Sequence, residues 1–250
     1  MTIAIECAIA QEHAHLAAAL AHHETVTVGG QRFDRGDLDG REVVLALAGI
    51  GKVNTAMATA LLVERFGART VVFSGVAGGL DPSLSIGDVV IADETLQHDA
   101  GVLEDHGLTT YQAGHVPFFN PTERFGYPVA APLLARVQGA LDGFALPPLS
   151  RDAGGAGRAP LIAYGRVLSG DQYIHGEAVR ERLYRELGGL AVEMESGALA
   201  QACEALGAEW LNVRALSDLA GRESRFDFTA FVNAVAASSA AILRRILPVL

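Results

Sequence analysis

Two carboxylates one residue apart in an apolar run, Val192-Glu193-Met194-Glu195-Ser196, are the residues of this chain best suited to chemistry. In an extended segment, residues two apart point the same way, so Glu193 and Glu195 are expected on one face. Like charges in apolar surroundings repel and are poorly solvated, a cost that chains tolerate mainly where a ligand or a proton transfer uses them. The apolar run Val213-Arg214-Ala215-Leu216-Ser217-Asp218 also ends in charge, and Ile3 to Ile9 leads to Glu12 in the same way. Each acid taken singly has an ordinary reading as an ion-pair partner or helix cap. Three apolar segments that each deliver an acid at the C-terminal end, with Arg214 in reach, instead predict one site at the edge of a parallel sheet. Glu6 alternates with Ala4 and Ala8 in the first of these segments and is assigned no function.

The elements that must carry these residues follow from hydrophobic pattern. Short β-branched runs alternate with Ala- and Leu-rich helical patterns over most of the chain, which predicts a mainly parallel twisted sheet flanked by helices. Strands are expected near 2–8, 25–34, 42–48, 70–74, 86–92, 161–168, 190–194 and 209–215, and helices near 11–22, 53–66, 131–142, 177–187, 196–206 and 228–246. Thr25 to Gly36 reads as an antiparallel ribbon. Phe228, Phe231, Val232, Val235, Ile242, Leu243 and Ile246 give the last helix an apolar face. Ser150 to Pro160, with Gly154, Gly155 and Gly157, is expected to be mobile. Because cooperating acids lie on both sides of it, residues 1–250 read as one domain. Gly114 to Pro128 carries Phe118, Phe119, Phe125 and Tyr127, and is expected to cover a pocket or meet a second subunit.

Composition narrows the function classes. Half of the 250 residues are apolar, enough for a large core, and the net charge of −10 argues against a nucleic-acid partner. Cys7 and Cys203 sit in apolar segments and read as core thiols in a reducing compartment. No uninterrupted apolar stretch reaches the roughly 20 residues that cross a bilayer, and no secretory signal is visible, so a cytoplasmic location without a membrane partner is expected.

Several motifs are weak alone. Gly75-Val76-Ala77-Gly78-Gly79 follows the run Val71-Val72-Phe73, and its glycines let backbone N–H groups approach a ligand, but the spacing is not that of a dinucleotide fingerprint. Gly49-Ile50-Gly51-Lys52 lacks the hydroxyl and the first glycine of a phosphate loop, having Val53 and Ala46 there. His13 and His15, or His22 and His23, do not share a helix face, and no Cys-x-x-Cys or His-Glu-x-x-His pattern exists, so no metal is expected. His98-Asp99 reads equally as solvated loop or pocket lining, and no Gly-x-Ser-x-Gly elbow is present.

In combination the motifs resemble a known family. Cys7 to Glu12, Gly49 to Val53, Ser74 to Leu80, Gly87 to Val90, Ser169-Gly170-Asp171, Val192 to Glu195 and Arg214 to Asp218 run in the order found in the nucleoside phosphorylase and hydrolase superfamily, and within it resemble the bacterial 5'-methylthioadenosine/S-adenosylhomocysteine nucleosidases. The aromatic loop 114–128 and the Gly-rich insertion near 154 look like the actinobacterial branch. The resemblance implies hydrolysis of an N-glycosidic bond to adenine and a 5-alkylthioribose, with no cofactor and a small nucleoside as the partner. It implies Asp218 as the acid at adenine N7, oriented by Ser217, and Glu12 as the base for the attacking water. Glu195, beside Glu193, is implied to bind the ribose hydroxyls, with Met194 against the sugar and Arg214 steadying the carboxylates. Tyr173 and the backbone near Ile174 would hold adenine, Val76 and Gly78 the turn beside the sugar, and Ile9, Ile50 and Phe228 the alkylthio tail. A homodimer is implied, the partner's 114–128 loop closing the tail pocket.

Phosphorolysis is the nearest alternative; it needs arginines around a phosphate dianion. No Arg lies in residues 3–12 or 71–80, and Val76 stands where relatives often have Ser or Thr, which favours water. A nucleosidase for another 5'-modified nucleoside of the futalosine type, and a non-catalytic nucleoside-binding protein, are the further alternatives.

Overall fold

The computed structural model describes residues 2–250. The apolar runs form strands β1 (Thr2–Cys7), β2 (Ala21–Val28), β3 (Gln31–Leu38), β4 (Arg41–Leu47), β5 (Ala68–Gly79), β6 (Val89–Gln97), β7 (Gly101–Glu104), β8 (Gly107–Thr110), β9 (Tyr127–Pro128), β10 (Ile162–Ser169), β11 (Ala191–Glu193) and β12 (Glu209–Asp218). The helical patterns form α1 (Ala10–Ala17), α2 (Lys52–Glu64), α3 (Ala131–Leu141), α4 (Glu177–Leu187), α5 (Ser196–Leu206) and α6 (Ser224–Ile246). Ten strands build one mixed sheet in the order β11-β10-β6-β12-β5-β1-β4-β3-β2, with β9 on β6. Helix α2 packs with α5, and α1 and α3 with α6, so helices cover the sheet as the alternating pattern predicts.

The last residues of β5, Gly78 and Gly79, pair antiparallel with Val192 and Ala191 of β11. Strands β5, β12, β6, β10 and β11 therefore close into a ring, which brings the end of β11 beside the ends of β5 and β12. A site assembled from three strand ends is a consequence of that closure.

Four expectations change. The glycines of Gly75–Gly79 are inside strand β5 and not in a loop after it; a Cβ on Gly75 would lie 2.5 Å from Glu12 Oε1 and 2.6 Å from Arg214 Nη1, so glycine leaves room for those side chains. The Gly-rich segment 150–160 is tied down: Arg158 donates to both oxygens of buried Asp88 at 2.7 Å, and Leu161 N–H donates to the same carboxylate. Helix α1 ends at Ala17, five residues short of the expected end, because polar Ala21–Val28 pairs with β3 as an edge strand. The β7–β8 hairpin and β9 carry too few apolar residues to have been read as strands.

Helix α6 is long and apolar enough on average to cross a membrane, although polar residues interrupt its apolar run, and it packs on β12 and β5. Loop 114–128 does not line its own chain's pocket; Phe118 and Phe119 are more than four-fifths exposed.

Candidate active site

A pocket opens where β5, β11 and β12 end, and every residue that the resemblance assigns to the site lines it: Ile9, Glu12, Ile50, Val76, Gly78, Tyr173, Ile174, Glu193, Met194, Glu195, Arg214, Ser217, Asp218 and Phe228. Gln172, Ala77 and Ala220 also line it; they are chain neighbours of the assigned residues, which was the one available signal.

Glu12 is the third residue of α1 and reaches back over the helix start. Its Oε2 accepts the N–H groups of Ala8 (2.8 Å) and Ile9 (3.1 Å), and its Oε1 accepts the N–H of Val76 (2.9 Å). Burial raises its pKa, while Arg214 and these three amides pull the other way. The outcome is a carboxylate in fixed orientation and more basic than usual.

Arg214 is the hub. Its guanidinium lies over the Phe73 ring, 4.2 Å from the centroid, and Nε donates to Asn212 Oδ1 at 2.8 Å. Nη2 pairs with Glu193 and with Glu195 Oε2 (3.3 Å), and Nη1 lies 4.0 Å from Glu12 Oε1. Arg214 is 1% exposed, so these carboxylates are what compensates its charge. The support from Asn212 and Phe73 was not visible in the motif.

Glu193 and Glu195 meet at Arg214 for a reason other than strand alternation. Strand β11 ends at Glu193, and Glu195 caps α5 in a non-extended conformation. Glu193 is largely taken up by its own turn, accepting from Ser196 N–H and Oγ and from Glu195 N–H. Glu195 Oε1 accepts the N–H of Gly51 (2.9 Å), and burial, Glu193 and Glu12 raise its pKa against the pull of Arg214 and that amide.

Gly51, at φ +94°, is the residue before α2. The next amide, Lys52 N–H, donates to Asp171 Oδ1, and Lys52 Nζ pairs with Asp99 at 2.8 Å. The Gly49-Ile50-Gly51-Lys52 motif is thus a helix N-terminus already filled by the protein's own carboxylates. His98 is neither solvated nor pocket-lining: it is buried, packs against Gly170, and burial lowers its pKa.

Asp218 ends β12, with Oδ2 accepting from Ser217 Oγ (3.0 Å) and Oδ1 from Ala220 N–H (2.8 Å). Ala220 holds this contact at φ +53°, a left-handed conformation that costs energy for a residue with a Cβ. Burial pushes the Asp218 pKa up to about 6, with the Ala220 and Ser217 hydrogen bonds holding it below what burial alone would give. Asp218 can therefore hold a proton to donate near neutrality. Tyr173 and Phe228 meet edge to face, 6.3 Å between centroids, at the apolar mouth. Among the described residues no three His, Cys, Asp or Glu side chains converge as metal ligands.

A ring of strands that presents a buried acid, a fixed carboxylate base and an apolar cleft defines a nucleoside-cleaving α/β class, and the chain belongs to the phosphorylase superfamily, whose family model matches residues 2–248. Within it the chain falls among the 5'-methylthioadenosine/S-adenosylhomocysteine nucleosidases: it is 57% identical over 250 residues to that protein of Mycobacterium tuberculosis, covering 100% of this chain and 98% of the other. The structure of the Neisseria meningitidis nucleosidase in complex with methylthio-immucillin-A matches with TM-score 0.84 and 33% identity, over 100% and 99% of the two chains. A futalosine hydrolase of Helicobacter pylori matches with TM-score 0.84 and 28% identity, over 100% and 98%.

Proposed function

We propose that this chain hydrolyses the N-glycosidic bond of 5'-methylthioadenosine and S-adenosylhomocysteine, releasing adenine and the 5-alkylthioribose. The observation that carries this reading over phosphorolysis is the state of Arg214. Among the described residues it is the only cationic one lining the pocket, it is enclosed by Glu12, Glu193 and Glu195, and Glu12 occupies the Val76 amide. A phosphate dianion would meet carboxylates with no free guanidinium, whereas water would meet a fixed base.

Asp218 protonates N7 of the purine as the glycosidic bond breaks, and the base leaves neutral. The ribosyl cation that forms is stabilised by the carboxylates around it, with Glu195 accepting from the ribose hydroxyls. Water attacks C1' and gives its proton to Glu12, so bond and proton changes balance without a cofactor. Adenine release from 5'-methylthioadenosine, S-adenosylhomocysteine, adenosine, inosine and futalosine, each with and without phosphate, tests this. Free 5-methylthioribose without phosphate supports it; a sugar 1-phosphate, or cleavage of futalosine alone, overturns it.

Ile9, Ile50 and Phe228 form the apolar end of the pocket and take the alkylthio tail. Phe228→Ala is expected to lower kcat/KM for 5'-methylthioadenosine by about tenfold or more, the scale of a lost apolar contact. The loss for adenosine should be smaller, and steady-state kinetics on both substrates measures the difference.

The chain further acts as a homodimer in the cytoplasm. Ile50, Val53 and Met57, at and beside the start of α2, leave apolar surface exposed near this mouth, and the exposed Phe118 and Phe119 of a second copy's 114–128 loop would cover it. Cys7 and Cys203 are buried free thiols, as a reducing compartment maintains. Sedimentation equilibrium and a fluorescent fusion test the two statements.

A further inference from the structure

Glu6 is fully buried in β1 and touches no part of the pocket. Its Oε1 lies 2.7 Å from Thr59 Oγ1, which in turn lies 2.9 Å from the carbonyl of Thr55. A hydroxyl has one proton, and a carbonyl can only accept. If that proton goes to Thr55, the contact with Glu6 is a hydrogen bond only when Glu6 is the donor, and so is protonated. Its other oxygen, Oε2, has no partner among the described residues; an orphaned oxygen is far less costly on a neutral acid than on a buried carboxylate.

The acid is joined to the site through α2. Thr55 Oγ1 donates to the Gly51 carbonyl (3.1 Å), and the Gly51 N–H donates to Glu195. The charged and titratable groups facing Glu6 are Glu195 at the head of α5, Cys203 farther along α5, Arg214 from β12, and Cys7 beside it in β1. The buried face of α2 offers only the hydroxyls of Thr55 and Thr59, while β4 and β5 place Ala46 and Phe73 beside Glu6.

We propose that Glu6 is a positioning residue: as a neutral acid it braces α2 so that Gly51 holds Glu195, and its ionisation sets a second, alkaline limit on catalysis. Ionised, it would place a fourth carboxylate behind Glu12, Glu193 and Glu195, which share Arg214, and would draw the single Thr59 hydroxyl proton away from the Thr55 carbonyl. The effect on catalysis rests on the hydrolase reading above. Burial raises the Glu6 pKa from an ordinary 4.5 to about 8, with the Thr59 contact holding it lower and Glu195 raising it further. Across that window the native state holds a proton that the unfolded chain has lost, so stability falls as pH rises from 4.5 through about 8.

The test compares Glu6→Gln, which can still donate to Thr59 but cannot ionise, with the parent protein. Above pH 8 the parent's log kcat/KM against pH should steepen from a slope of about −1, due to Asp218, toward about −2, the added loss falling on KM; Glu6→Gln should keep about −1. Thr59→Val should move the second break to higher pH. The melting temperature of Glu6→Gln relative to the parent should rise by several degrees between pH 5 and pH 9. Equal slopes in parent and Glu6→Gln overturn the proposal. So does a melting difference that stays constant with pH, and this arm needs no substrate, so it decides independently of the hydrolase reading.

Discussion

Replacing Asp218 with Asn is expected to lower kcat for 5'-methylthioadenosine by about a thousandfold, within the 10²–10⁴ range of a lost general acid, while the protein stays folded. Asn keeps an acceptor for the Ala220 N–H and the shape of the side chain, but it has no acidic proton to give to the purine. The largest loss should be for adenine nucleosides, whose leaving group needs that proton. The parent's own pH dependence follows from the same group. With a pKa of about 6, raised by burial, roughly a tenth of Asp218 is protonated at pH 7, and kcat/KM should fall as pH rises above about 6. Stopped-time adenine assays across pH measure both effects, and an Asn variant that turns over at more than a few per cent of the parent rate would remove Asp218 as the acid.

Glu12→Gln is expected to cost a similar factor in kcat, with KM for the same substrate changing only a few-fold. The carboxylate accepts three backbone N–H groups, two on one oxygen and one on the other. An amide presents one oxygen, so its NH₂ must face at least one of those donors. The variant thus loses the base and also sets donor against donor, which should lower the melting temperature by a few degrees. Wild-type turnover in a variant with the lowered melting temperature would show that water is activated by another group. Because Glu12 takes no part in protonating the purine, the acid-dependent fall above pH 6 should survive in whatever activity remains.

Both predictions concern residues that were recognisable in the chain before its structure. The acids stood out because charge inside an apolar run is costly, and their order along the chain matched a family pattern. The strands that carry them were readable from β-branched runs, with β10 and β11 within about a residue of their observed bounds. Where reading failed, local preference was overruled. Glycines are poor strand formers, yet Gly75 and Gly78 lie in β5 because Glu12, Arg214 and Asp218 need the space above them, and Gly79 because Leu216 and Leu219 do. The glycines near 154 suggested mobility, yet Asp88 and Arg158, 70 residues apart, hold that segment.

The sequence by itself determined the alternating α/β class, the identity of the acids and the single arginine among them, because these depend on residue type and short-range spacing. Only the tertiary structure decided how their charges are used. Ring closure by β11 on β5 sets the acids around Arg214, and Gly51 meets Glu195 across 144 residues of chain. Burial then raises the Asp218, Glu195 and Glu6 pKa values by different amounts, since each carboxyl finds a different set of donors in the folded protein. Proton affinity depends on desolvation and on partners brought from distant segments, and neither exists until the chain has folded.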